Sequence, residues 1–135
     1  MSSTSTDDLG KLVLRLSLGI LILLHGLSKL GGVDWISGML QSHGLPGFIA
    51  YGVYIGEILA PVLLIIGIWA RIGALVVAIN MLFVIGLVHM NELFTLGKSG
   101  AWALELQGMF LFGAIAVALL GAGGYSLGGR NGRYN

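Results

Sequence analysis

Continuous apolar runs constrain this chain more than any other feature. Leu18-Gly19-Ile20-Leu21-Ile22-Leu23-Leu24 contains no polar side chain and no alternation. Such a run is neither one face of a surface helix nor a barrel strand, which alternates over about ten residues. A hydrocarbon core about 30 Å thick is crossed by roughly 20 apolar residues of helix. Four stretches reach that length, at about 12–30, 49–69, 72–90 and 102–121. The expectation is an all-α, polytopic membrane four-helix bundle, built as one domain over residues 1–135 with short connections.

The composition agrees. Of the 135 residues 56% are hydrophobic and 10% are charged, whereas a soluble domain carries about 25% charged residues. An ordinary soluble domain and a disordered chain are excluded. Seven Lys and Arg against six Asp and Glu leave no basic face for phosphates, so no nucleic-acid partner is expected. The absence of cysteine excludes disulfides, thiolate metal sites, iron–sulfur clusters and CxxC relays. The first run reads as a retained helix, not a cleaved signal: Asp7 and Asp8 precede it, and His25-Gly26-Leu27-Ser28-Lys29 follows it without a small-x-small site.

Lysine and arginine asymmetry sets the orientation. Lys11, Arg15, Arg71, Arg130 and Arg133 fall on one side, Lys29 and Lys98 on the other, which places both termini in the cytoplasm. Arg15 is expected to snorkel to that face as an anchor, and Gly121 to Asn135 to form a short cytoplasmic tail. The outer connection carries Gly31-Gly32 and Leu45-Pro46-Gly47 as turn signals. Its Trp35-Ile36-Ser37-Gly38-Met39-Leu40 piece reads as a short interfacial helix.

Ionisable groups inside a bilayer are costly and mark functional sites. With two helices running outward and two inward, His25, Lys29, Glu57, His89 and Glu105 all map to the outer half of the bundle. His25 and Lys29 are four apart and share a helix face. Pro61, four residues after Glu57, cannot donate to the Glu57 carbonyl. Gly52 and Gly56 form a small-xxx-small surface beside it. A Glu–Lys–His set at one depth can pass protons or orient a polar head group such as a quinone. Structural readings stand beside this one. Lys29 with Glu57 serves equally as a register-fixing ion pair, His25 as a donor to a backbone carbonyl, and Glu105 as a carboxylate favoured by a helix N-terminus. His89 reads equally as an interfacial side chain, and Asn80 as interhelical glue, with Gln107 a further neutral polar group. His25 and His89 as a pair also raise a bis-imidazole haem. One histidine per helix, with His89 near the water, argues against it. No HExxH or ExxH spacing is present, so no metal site is expected.

Several pieces in order carry a resemblance. They are Arg15-Leu16-Ser17-Leu18-Gly19, His25-Gly26-Leu27-Ser28-Lys29-Leu30, Gly56-Glu57, and Leu63-Leu64-Ile65-Ile66-Gly67-Ile68-Trp69-Ala70-Arg71. Met81, His89, Glu105 and Gly121-Ala122-Gly123-Gly124-Tyr125-Ser126-Leu127 follow. Together they resemble the DoxX family of small four-helix membrane proteins from about Arg15 to Leu127. Gly128 stands where members often carry Asp, and Pro61 where many have a small residue. The resemblance implies a multi-pass protein of the bacterial inner membrane with a quinone-linked redox role, since some members are thiosulfate:quinone oxidoreductase subunits.

Three functions follow as expectations. The first is a membrane subunit of an oxidoreductase. His25, Lys29, Glu57 and Glu105 form its ligand or proton site, His89 contributes to cofactor binding, and a partner subunit supplies electrons. The second is an assembly module in the bilayer, whose Gly52/Gly56 face and glycines around Gly113 dock a partner or a second copy. The third, ranked last, is a small transporter.

Overall fold

A computed structural model describes residues 3–28, 32, 34–88, 94, 96 and 104–135, and these are helical or irregular, with no β-strand among them. Helix α1 spans Ser3–Ser28 and α2 spans Asp34–Ser42. A continuous helical rod, α3, runs Gly47–Ile66. Helices α4 (Ala70–Val88) and α5 (Glu105–Leu120) complete the set. By length and composition α1 over Ser5–Ser28 and α3 are long and apolar enough to cross a membrane. The described apolar parts of α4 and α5 are shorter. The first helix starts earlier than its apolar run suggests and takes in Asp7 and Asp8. The expected interfacial piece is α2.

Small residues decide how these helices meet. Arg15, Leu18, Gly19, Ile22 and Gly26 are buried along α1 at three- and four-residue intervals, which is one helix face. A Cβ at Gly19 would lie 2.8 Å from Ile65 Cγ1 and 3.1 Å from the Pro61 carbonyl, so α1 lies backbone-close on α3. Leu18 packs against Gly113 of α5. The glycine region expected to dock partners is therefore used inside the fold, because a bulky α1 leucine needs that space. Ala70, Gly73, Ala74, Val77, Ala78 and Met81 form the buried face of α4. Together with Leu64, Phe110, Ala114 and Val117 they make the core.

Polarity is inverted relative to a soluble protein. Val13, Leu24, Leu75, Leu82, Met109, Phe112 and Leu119 are each more than half exposed. Asp8, Arg15 and Glu57 are buried. A water-soluble monomer rarely presents apolar area on this scale.

The end where α1 and α4 begin and α3 and α5 finish is closed by residues 121–135. This base corrects two expectations. The segment after α5, expected as a short tail, is packed onto the helix ends. Leu127 N–H donates to the Ile66 carbonyl (3.1 Å), Gly128 N–H to Gly67 (2.9 Å) and Arg71 N–H to Tyr134 (3.0 Å). The Asn135 side chain accepts from Ala70 N–H (3.0 Å) and donates to the Gly129 carbonyl (2.8 Å). Arg130 pairs with Asp8. Arg15, expected to snorkel outward, is fully buried. Its Nε donates to Ala122 O (3.0 Å), Nη1 to Leu64 O (2.7 Å) and Ile65 O (3.4 Å), and Nη2 to Tyr125 O (2.5 Å). The last carbonyls of a helix lack intrahelical donors, and a guanidinium supplies several in a fixed fork. Arg71 does the same for α5, donating to the Ala118 and Leu119 carbonyls at 2.8 and 2.9 Å.

Gly67 makes the base possible. It ends α3 in the left-handed region, φ 75° and ψ 40°, where a Cβ is disfavoured. A Cβ there would also strike the Ser126 side chain and come within 2.7 Å of Arg15 Nη1. Gly67→Ala is expected to destabilise the protein by about 2 kcal/mol, from backbone strain and overpacking together. Thermal unfolding in detergent checks this; a melting temperature equal to wild type refutes it.

Candidate functional site

At the end opposite the base, α2 lies over α3 and α4. Leu40 and Ala50 are buried there against Ile36, Leu45 and Tyr54. Beneath α2 is a cavity of about 330 Å³, within the range of small-molecule sites. Its wall is largely apolar and includes Trp35 and Met39 of α2 and Ile79 and Phe83 of α4. Three polar side chains enter it: Glu57 from α3, Asn80 from α4 and Gln107 from α5.

Local chemistry places Glu57. Pro61 has no N–H for the Glu57 carbonyl, and the rod widens into a π turn over Ile55–Leu59, with Ala60 N–H donating to Ile55 O. Single π turns inside α-helices recur at functional sites. Glu57 sits at the middle of the turn and is 3% exposed. Two glycines fit this turn to its neighbours. A Cβ on Gly26 of α1 would collide with the Glu57 carbonyl. A Cβ on Gly56 would lie 2.7 Å from Asn80 Cβ. Gly56 thus brings Asn80 beside Glu57. Gly52, its partner in the small-residue pair, has nothing within 4 Å of an added Cβ and lines the cavity.

The other expected site residues lie elsewhere. His25, exposed on α1, meets Phe110 of α5 edge to face, with ring centroids 5.7 Å apart. Its carbonyl accepts from Ser28 Oγ at 2.6 Å. Glu105 is exposed in the first turn of α5, where the helix dipole favours a carboxylate. Neither lines the cavity. Lys29 and His89 lie outside the described residues. The structure thus brings Glu57 together with Asn80 and Gln107, and not with His25 or Glu105. No group of three or more His, Cys, Asp or Glu suited to a metal occurs among the described residues.

Asn80 and Gln107 stand out in the sequence as neutral polar groups, with nothing there to join them to Glu57. The signal is isolation: Asn80 interrupts Ala78-Ile79-Asn80-Met81, and Gln107, with Glu105, stands at the start of a helix that is apolar from there on. What the arrangement can do follows from its groups. A carboxyl group takes up or releases a proton. Two carboxamides donate and accept hydrogen bonds. Trp35 and Phe83 offer aromatic surface to a planar ring. Among the described lining residues none is a cation, so the cavity suits a small, largely apolar molecule with a polar end.

A family model described as DoxX matches residues 10–90. A Bacillus subtilis (strain 168) protein named "Putative oxidoreductase CatD" is 31% identical over 115 residues, covering 85% of this chain and 81% of that protein. No solved structure matches the chain.

Proposed function

The chain belongs to the DoxX family, and from that premise we propose that it is a multi-pass subunit of a quinone-linked redox system in a bacterial inner membrane. The redox assignment draws on the name of the Bacillus subtilis relative. A four-helix membrane bundle is supported by the apolar outer surfaces of all four long helices. The cationic base supports cytoplasmic ends, since Arg71, Arg130 and Arg133 are exposed there.

The observation that carries the ligand reading is the buried Glu57 on its π turn, set in an apolar cavity with two carboxamides. A quinone fits such a place in kind: its ring and tail suit the apolar wall, and its oxygens suit the polar corner. When bound, a quinone supplies two-electron, two-proton redox chemistry. Glu57 would hold or release a proton at its carboxylate, and Asn80 and Gln107 would hydrogen-bond and orient the ligand's polar end. The helix α2 lies over the cavity, with Trp35 and Met39 in its wall. The chain has no cysteine and no cofactor motif, so electrons come from a partner protein.

The test is Glu57→Gln in protein purified with native lipid. Wild type is expected to retain quinone on extraction and mass spectrometry. The variant is expected to lose about tenfold or more, the scale of a lost charge-assisted hydrogen bond, with its melting temperature kept. Quinone-free wild-type protein, or equal retention in both, defeats the reading.

A further inference from the structure

The cavity wall holds a hydrogen-bond donor that the fold does not use. Asn80 Nδ2 is buried and has no hydrogen-bond partner among the described residues, while the residue itself lines the cavity. Buried amide donors are nearly always paired, and one left without a protein acceptor calls for an explanation. The Asn80 side chain packs against α3 at Gly56. Gly56 leaves room for nothing larger beside it, since an added Cβ there would stand 2.7 Å from Asn80 Cγ and 2.8 Å from Oδ1. Asn80 therefore packs close against α3 at Gly56. A helix cemented by an asparagine would show that amide spent on a neighbouring carbonyl, as Arg71 is spent on Ala118 and Leu119 at the base.

We infer that Asn80 is the specificity-determining residue of the cavity, donating a hydrogen bond from Nδ2 to a carbonyl oxygen of an uncharged, ring-shaped ligand. The inference deepens the ligand reading above and rests on it. Three features define the ligand class. The unpaired donor calls for an acceptor oxygen. The neighbouring Glu57 carboxyl group and the absence of a cation among the described lining residues disfavour an anion. The aromatic wall of Trp35 and Phe83 suits a flat apolar body. Selectivity then arises because a ligand without the oxygen leaves the amide buried and unpaired, whereas a carbonyl-bearing one satisfies it.

Two probes of one skeleton separate these contributions: menadione, a two-ring quinone, and 2-methylnaphthalene, the same rings without oxygen. Binding is measured to the full chain in nanodiscs, corrected for empty nanodiscs. Wild type is expected to favour menadione by about tenfold, the scale of one buried hydrogen bond and the unpaired donor it relieves. Asn80→Leu, close in size, is expected to erase that preference by weakening menadione alone. Undiminished binding of 2-methylnaphthalene reports that the cavity is intact, a result that a merely structural Asn80 would not give. If Asn80→Leu fails to fold, Asn80→Ala carries the same comparison. A preference for menadione that survives in the variant overturns the inference and leaves the ligand reading standing. Equal binding of both probes to wild type overturns it likewise. Failure of wild type to bind either probe overturns both.

Discussion

Arg15→Met is expected to destabilise the protein by roughly 3–5 kcal/mol, the scale of breaking a buried charged network. The methionine nearly fills the volume but offers no donor. Four carbonyls then lose their guanidinium contacts: Leu64 and Ile65 at the end of α3, and Ala122 and Tyr125 in the closing segment. Because one side chain joins three parts of the chain, the loss is expected to spread. Residues 121–135 should detach, and trypsin cleavage at Arg130 and Arg133 should speed up as the Arg130–Asp8 pair and the contacts of Asn135 are lost. Arg15→Lys should recover little, since one ammonium cannot reproduce a fork that reaches both backbone segments. Thermal unfolding and timed proteolysis in detergent measure the two effects. A loss below about 1 kcal/mol, within the range of a surface substitution, together with unchanged cleavage, would show that the guanidinium does not hold the base.

That expectation depends on a feature the sequence hid. The helices were legible because their signal is local: apolar length marks the long helices, two of which are long and apolar enough to cross a membrane, and Trp35 to Leu40 between two turn signals gives α2. Glu57 was legible too, as a carboxylate in an apolar run with Pro61 four residues on. Arg15 was not. Near the end of an apolar run, the cheap solution for an arginine is to snorkel. Choosing burial instead required the acceptors at residues 122 and 125, more than a hundred positions away in a glycine-rich stretch with no apolar period. The cavity was hidden for a related reason. Depth along a helix can be counted from sequence, but rotation about its axis depends on the partner. Counting put His25, Glu57 and Glu105 in one layer. Rotation turned His25 toward Phe110, left Glu105 exposed, and brought Asn80 and Gln107 to Glu57. Gly113 shows the same limit. A glycine on a membrane helix face suits a partner protein or the chain itself, and Leu18 claims this one.

The second large effect is expected at Gly26, where α1 meets the π turn. An added Cβ would overlap the Glu57 carbonyl oxygen, stand 2.6 Å from its carbon and reach 2.8 Å from Ile58 Cγ1. Two of these atoms are backbone in a turn already set by Pro61, so no side-chain rotation relieves the clash. Either α1 moves off α3 or the π turn is reshaped, and both displace Glu57 in the cavity. Gly26→Ala is therefore expected to cost about 3 kcal/mol, the upper part of the usual range for overpacking, despite the better helix propensity of alanine. Ligand retention should fall with it, because the Gly19 contact farther along α1 still holds that helix to α3 while the geometry at Glu57 changes. Gly86→Ala supplies the control. Gly86 lies exposed on α4 with nothing within 4 Å of an added Cβ, so there the propensity gain of about 0.5–1 kcal/mol should appear undiminished. The pair is read by melting temperature and by quinone retained per protein. Opposite signs at the two glycines match the close approach of α1 to Glu57. Equal shifts would mean that α1 does not press on the π turn and that the position of Glu57 is set by α3 alone.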